Sequence, residues 1–224
     1  MKAREWQKYL EEQHRLHGKS LFTVTELANV AGTPRSALNV ELARLRRQGL
    51  MARYAHGQYG LPDVITPAML LPAMDAHAYI TGSYALHLHN LITQAPARIS
   101  CFTDRRSPRA QERNTPVGRF AFICVRSRVY APPHGGVVAT PAQALCDFVY
   151  MMRRQGVSVE GLVSFRNLNG IATTDLDASL ARYPMAVQRH VRTLVAGKRG
   201  ERQRSVRTAE RTLAPQGIEQ EQHK

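Results

Sequence analysis

Ser36, Val40, Ala43 and Arg47 share one side of a helix if residues 34–48 wind at about 100° per residue, flanked by Arg35, Asn39 and Arg44. Ser and Asn carry donors and acceptors that can meet base edges. The planar fork of arginine matches guanine or a phosphate, and short side chains let a backbone sink into a major groove. A face of that kind is suited to reading DNA, and the plainer reading is the solvated face of an ordinary helix. Thr33 joins the set at the helix start. Arg53, Gln58 and Tyr59 join it on a following hairpin, where contacts to the sugar-phosphate backbone or minor groove are expected. A second basic run, Arg105, Arg106, Arg109 and Arg113, forms a candidate patch for nucleic acid or a solvated loop.

Catalytic chemistry finds less support. Asp104 follows a strand-like ISCFT and a Gly82-Ser83 turn, an arrangement reminiscent of nucleotidyltransferases. Two-metal phosphoryl transfer needs paired carboxylates to fix the cations, whereas Asp104 stands alone beside two arginines. His87 and His89 are two apart, which on a helix points them to different sides, so no metal site is expected there. The chain has no phosphate-loop or HExxH motif. Asp147, within the apolar ALCDFVY, reads as a structural acid at a buried edge. No cofactor, metal or catalytic residue is expected.

The elements that must position the DNA-reading face occur in order. Leu21–Val24 is a β-rich stretch. Thr25 caps a helix carrying Leu27, Ala28 and Ala31, which Gly32 ends. Thr33-Pro34 supplies a threonine cap and a proline at the first position of the next helix, whose Leu38, Leu42 and Leu45 form its apolar stripe up to Gly49. Leu50–Ala55 and Gln58–Leu61 flank His56-Gly57, a hairpin signal. Helix, turn, helix and hairpin make a winged helix-turn-helix over residues 20–61. A leading amphipathic helix packs Trp6, Leu10 and Leu16 on it.

The texture changes after Pro62-Asp63. Thr66-Pro67 opens a short helix, and AYITGSYALHLHNL follows as an extended segment, a Gly-Ser turn and a helix. Strands are expected at Arg98–Thr103, Arg119–Val125 and Gly136–Ala139, with a mobile basic loop between the first two. Thr140-Pro141 starts a helix with Ala144, Leu145, Phe148, Val149 and Met152 on one core-facing side. Further helices are expected at Val159–Asn169, Thr174–Tyr183 and Pro184–Ala196. The fold class is therefore α+β. It divides into a winged helix-turn-helix over 1–63, an α+β domain over 64–196 with its own core, and a flexible basic tail over 197–224.

The chain of 224 residues carries 31 Lys and Arg against 17 Asp and Glu, a net charge of +14. The excess is spread, with 10 basic against 6 acidic residues in 1–63, 12 against 7 in 64–185 and 9 against 4 in 186–224. Such a surface attracts polyanions with strong salt dependence and fits RNA or an acidic protein as well as DNA. No run of 18 apolar residues exists to span a membrane, and the charged start lacks a secretory signal's apolar stretch. Cys101, Cys124 and Cys146 are odd in number and lie in apolar runs, as free thiols in a reducing cytoplasm would.

Behind the winged module, the blocks YITGSYALHLHNL, ISCFTDRR, RFAFICV and VVATPAQALCDFVY resemble the AbiEi antitoxin family of type IV toxin–antitoxin systems, over roughly residues 20–155. The resemblance implies an N-terminal DNA-binding domain that represses its own operon at inverted repeats. It also implies a C-terminal domain that counters a nucleotidyltransferase-type toxin without a stable complex. A protein- or RNA-binding adaptor and a degenerate nucleotidyltransferase-like enzyme are the alternatives.

Overall fold

In the computed structural model, residues 1–106 and 111–197 are described. They form a mixed α+β protein with two sheets. The first sheet belongs to the N-terminal third. Helix α1 (Ala3–His17) precedes β1 (Leu21–Thr23), α2 (Val24–Ala31), α3 (Arg35–Arg47), β2 (Ala52–Ala55) and β3 (Gln58–Gly60). The three strands lie in the order β1-β3-β2, all antiparallel.

Local chemistry sets these boundaries, and it corrects two expected caps. Thr23, not Thr25, caps α2. Its Oγ1 accepts the Glu26 N–H at 3.1 Å, while the Glu26 carboxylate accepts the Thr23 N–H at 2.8 Å. That reciprocal pair needs an acid three residues after the cap, which Thr23 has in Glu26 and Thr25 lacks. At α3 the cap position falls on Pro34, whose ψ of 149° is extended, so the helix begins at Arg35. Thr33 therefore caps nothing, and its Oγ1 is buried with no hydrogen-bond partner among the described residues. Gly32 and Gly49, at φ +61° and +72°, take the left-handed turns that end α2 and α3.

The small sheet is covered on both faces. Phe22 and Tyr59 are cross-strand partners and join Trp6, Leu10, Leu27, Leu38, Leu42, Leu45 and Met51 in one buried cluster. Leu16, expected in that cluster, is 59% exposed because, six residues past Leu10, it is turned about 120° from Leu10 around the helix. The opposite face presents Leu21, Ala52 and Tyr54 to Ile65, Leu70, Leu71, Phe120 and Phe122. Each half has a buried cluster of its own, as their distinct apolar stripes suggest, and a third joins them. A middle cluster crosses the Pro62–Pro67 joint, because both faces of the three-stranded sheet carry apolar residues and both must be covered.

The second sheet has the order β4-β5-β7-β6, from β4 (Tyr79–Ile80), β5 (Ile99–Thr103), β6 (Glu112–Thr115) and β7 (Gly118–Cys124). β5 and β7 run parallel and the other pairs antiparallel. Period-two alternation divides β5 between two layers. Ile99 and Cys101 face the middle cluster with α4 (Pro67–Met74), and Phe102 faces the largest core. That core is organised by α5 (Gly82–Leu88), α6 (Pro141–Arg154), α7 (Thr173–Leu180) and α8 (residues 185–197).

Several expectations for this half are corrected. Residues 112–115, taken as loop, form β6, because Glu112–Thr115 completes a hairpin with β7 around Gly118 at φ +129°. Residues 136–139 make only a single parallel bridge, Val138 to Ile80, since β4 is two residues long and offers no longer partner. The segment 159–169 is not a helix. Gly161 at φ +80° and Asn167 at φ +56° interrupt it, leaving a bridge from Phe165 to Ile92 and a short 3₁₀ turn at Leu168–Gly170. Helix α6 is buried on every side from Ala142 to Met151, not along one stripe, with α5 and α7 packed against it. Thr140 caps it as expected, accepting the Gln143 N–H at 3.4 Å, with Pro141 at its first position.

Candidate nucleic-acid interface

Helix α3 is held by one side only. Leu38, Leu42 and Leu45 are at most 1% exposed, so the remaining faces are presented to solvent. Arg35, Ser36, Asn39, Val40, Ala43, Arg44 and Arg47 are all exposed. Val40 is 71% exposed, a large apolar side chain left in water in the middle of a polar, basic face. Arg46, not among the residues expected on that face, is exposed too.

The arginines around that face are not equivalent. A guanidinium N–H of Arg35 donates to the Thr25 Oγ1 at 3.1 Å, tying the start of α3 to α2. Arg44 lies 3.6 Å from the Glu41 carboxylate, which is also 3.4 Å from the N-terminal ammonium, so its charge is partly offset. Arg47 has no acid partner among the described residues. Its place in the last turn also suits the helix dipole.

The hairpin residues separate. Arg53 is exposed and folds back, its Nε–H reaching the Ala55 carbonyl at 3.4 Å and its Nη2 lying 3.5 Å from the His56 Nδ1. Gln58 is half-buried. Tyr59 does not belong to an interface. It is 8% exposed and packs with Phe22 and the leucine stripe, because its position in β3 faces the helical layer. Thr33 is half-buried, with its hydroxyl turned away from solvent.

The second basic run also divides. Arg113, on β6, sets its guanidinium 4.3 Å from the Phe122 ring centroid and donates to the Met74 carbonyl at 3.2 Å. It locks β6 to α4. Arg109 lies outside the described residues. Arg105 and Arg106 instead meet Arg126 and Arg154 along a cleft of about 1010 Å³. The latter two lie about twenty and fifty positions away in the chain, and only a spread of positive charge through 64–185 hinted at them.

The carboxylates and histidines have other work. Asp147 is wholly buried, not at an edge, and accepts hydrogen bonds from the hydroxyls of Tyr183 (2.6 Å), Thr81 (2.7 Å) and Tyr79 (3.2 Å). Burial pushes its carboxyl up to about 7 despite those three donors. Burial also raises the Tyr79 and Tyr183 phenols, with the neighbouring Asp147 adding to it. The cluster pins β4, the start of α5 and the segment after α7 onto α6. Asp104 is exposed, 3.5 Å from the His77 Nδ1. His89 Nε2 lies 2.7 Å from the Ala139 carbonyl oxygen, a bond that ties α5 to the chain before α6. Cys101 and Cys146 are buried and Cys124 is half-buried, all three as free thiols. Among the described residues no group of three or more His, Cys, Asp or Glu side chains gathers to hold a metal.

No protein-family model and no curated protein matches this chain. Among solved structures, the chain is similar to the crystal structure of the RV2827C protein from Mycobacterium tuberculosis. The TM-score is 0.53 at 15% identity, covering 86% of this chain and 76% of that one. At that identity the likeness is one of fold. Among the described residues no helix is long and apolar enough to cross a membrane.

Proposed function

We propose that the N-terminal third is a winged helix-turn-helix that reads double-stranded DNA through α3, and that the protein is a binding protein and not an enzyme. The observation that carries this reading is the solvent-facing side of α3. Ser36, Asn39 and Ala43 leave room for a groove floor, and the exposed Val40 suits a thymine methyl. Arg35 and Arg47 stand at either end for phosphate or guanine. The β2–β3 hairpin is then the wing, with Arg53 as its phosphate contact.

The biological role follows from the sequence resemblance to AbiEi antitoxins. The protein represses its own operon at inverted repeats and counters a nucleotidyltransferase-type toxin without holding it in a stable complex. The test is binding to DNA upstream of the protein's own gene, with footprinting to locate the repeats. Asn39→Ala should weaken operator binding by roughly 1–3 kcal/mol and binding to random DNA much less. Equal losses on both DNAs would show that α3 does not read sequence.

A further inference from the structure

The carboxyl ends of the only parallel strand pair among the described residues open onto a basic cleft that the DNA reading does not use. Thr103 and Cys124, the last residues of β5 and β7, are register partners, so both strands stop at the same level. Beyond them Arg105, Arg106, Arg126 and Arg154 line the cleft, with Phe122 and Tyr150 on its walls. The crevice past the carboxyl ends of adjacent parallel strands is where open α/β sheets accommodate ligands, since the chain leaves the sheet there and exposes backbone and loop groups.

We propose that this cleft binds a nucleoside triphosphate, with the arginines on the polyphosphate and Tyr150 at the base end. Arg105, Arg106 and Arg126 are exposed and have no carboxylate partner among the described residues. Four guanidinium groups against the single lining carboxylate of Asp75 leave an excess of positive charge, and a polyphosphate relieves that repulsion while filling their forked donors. Arg154 is held in place, its Nη1–H donating to the Cys124 carbonyl at 3.3 Å and its charge lying 5.8 Å from the Tyr150 ring centroid. The lining carboxylate, Asp75, accepts the His77 N–H at 2.9 Å. A volume of about 1010 Å³ far exceeds a lone phosphate and lies at the upper end for small-molecule sites. The site is separate from α3, so it stands or falls independently of DNA binding.

Cys124 provides a reporter. Its thiol is half-buried at the cleft, whereas Cys101 and Cys146 are buried, so an alkylating probe should label Cys124 first. The experiment is calorimetric titration of the full chain with ATP, pyrophosphate and a short single-stranded oligodeoxyadenylate, alongside alkylation with and without each. ATP should bind most tightly and slow the labelling of Cys124. Arg105→Ala and Arg126→Ala should each weaken ATP binding about tenfold or more, corresponding to the loss of one charge-assisted contact. Both side chains are solvent-facing, so circular dichroism should show an unchanged fold. Lys8→Ala, which removes an exposed charge on α1, should bind ATP as the wild type does. ATP binding that is unaffected by either arginine variant, or that leaves Cys124 labelling unchanged, would overturn the proposal. So would pyrophosphate binding as tightly as ATP, which would remove the base subsite. An oligonucleotide preferred over ATP would make the cleft a nucleic-acid channel instead, and would overturn it equally.

Discussion

Replacing Asp147 with Asn should remove a pH dependence of stability that the wild-type protein carries. The carboxyl moves from its ordinary value of 3.8 to about 7 on folding because burial disfavours its charge. A folded value above the unfolded one means that the neutral acid stabilises the fold. That contribution is complete below about pH 4 and is lost as pH rises towards 7. The whole change corresponds to about 4 kcal/mol, of which roughly 2 kcal/mol falls between about pH 5.5 and 7. Asn keeps the shape without the charge. Its amide oxygen can accept the Thr81 and Tyr79 hydroxyls at the Oδ2 position, and its amino group can face the Tyr183 oxygen. Urea denaturation of both proteins at about pH 5.5 and about pH 8 gives the comparison. Asp147→Asn should cost about 1 kcal/mol or less at the higher pH, and the wild type alone should lose roughly 2 kcal/mol or more between the two. Asp147→Ala should cost roughly 3–5 kcal/mol near pH 5.5, because it leaves three buried hydroxyls without their acceptor and opens a cavity. Identical pH profiles for wild type and Asp147→Asn would refute the reasoning. The three hydroxyls would then be holding the carboxylate charged throughout.

Three further outcomes follow from the geometry. Arg47→Ala should weaken binding to all DNA sequences and flatten the log–log salt slope by about one, and an unchanged slope in a filter-binding series would remove Arg47 from the phosphate contacts. Tyr54→Ala should destabilise the whole chain by about 3–5 kcal/mol in one denaturation transition, since Tyr54 is 4% exposed, packs across the joint and donates its hydroxyl to the Leu61 carbonyl at 2.8 Å. Two separate transitions, with the later one unmoved, would show the halves to be independent. Gly60→Ala should cost about 1–3 kcal/mol or more by thermal melting, because a Cβ there would stand 2.5 Å from the Ser20 carbonyl oxygen, and an unaltered Tm would contradict that close approach.

Much of the local structure is legible in the chain. The leucine stripe of α3, the His56-Gly57 hairpin and the Thr66 and Thr140 caps depend on neighbours within a few residues, and each forms where the pattern places it. The errors have two causes. Thr23 takes the cap of α2 because Glu26 sits at the right offset, a local signal that was present but missed. For the 136–139 segment the local signal was strand-like, yet a strand requires a partner, and β4 provides one only at Ile80. Tyr59 and Arg53 occupy facing positions in a two-strand ladder, and the sequence alone does not show that one enters a core while the other reaches solvent.

Periodicity and turn chemistry therefore determined where α3 and α6 lie, which side of α3 faces solvent and where the β2–β3 hairpin turns. These follow from backbone propensity and from apolar stripes that operate over one or two turns. Tertiary structure decided everything that depends on what lies opposite. It fused the two halves through the far face of a three-stranded sheet and buried α6 on all sides. It surrounded Asp147 with hydroxyls from Thr81, Tyr79 and Tyr183, two of them more than sixty residues away. It also brought Arg126 beside Arg105 and Arg106 by ending two parallel strands at one level, and Arg154 to the same cleft at the end of α6. Contacts between distant segments arise from sheet register and layer packing, and neither leaves a periodic mark on the residues that make them.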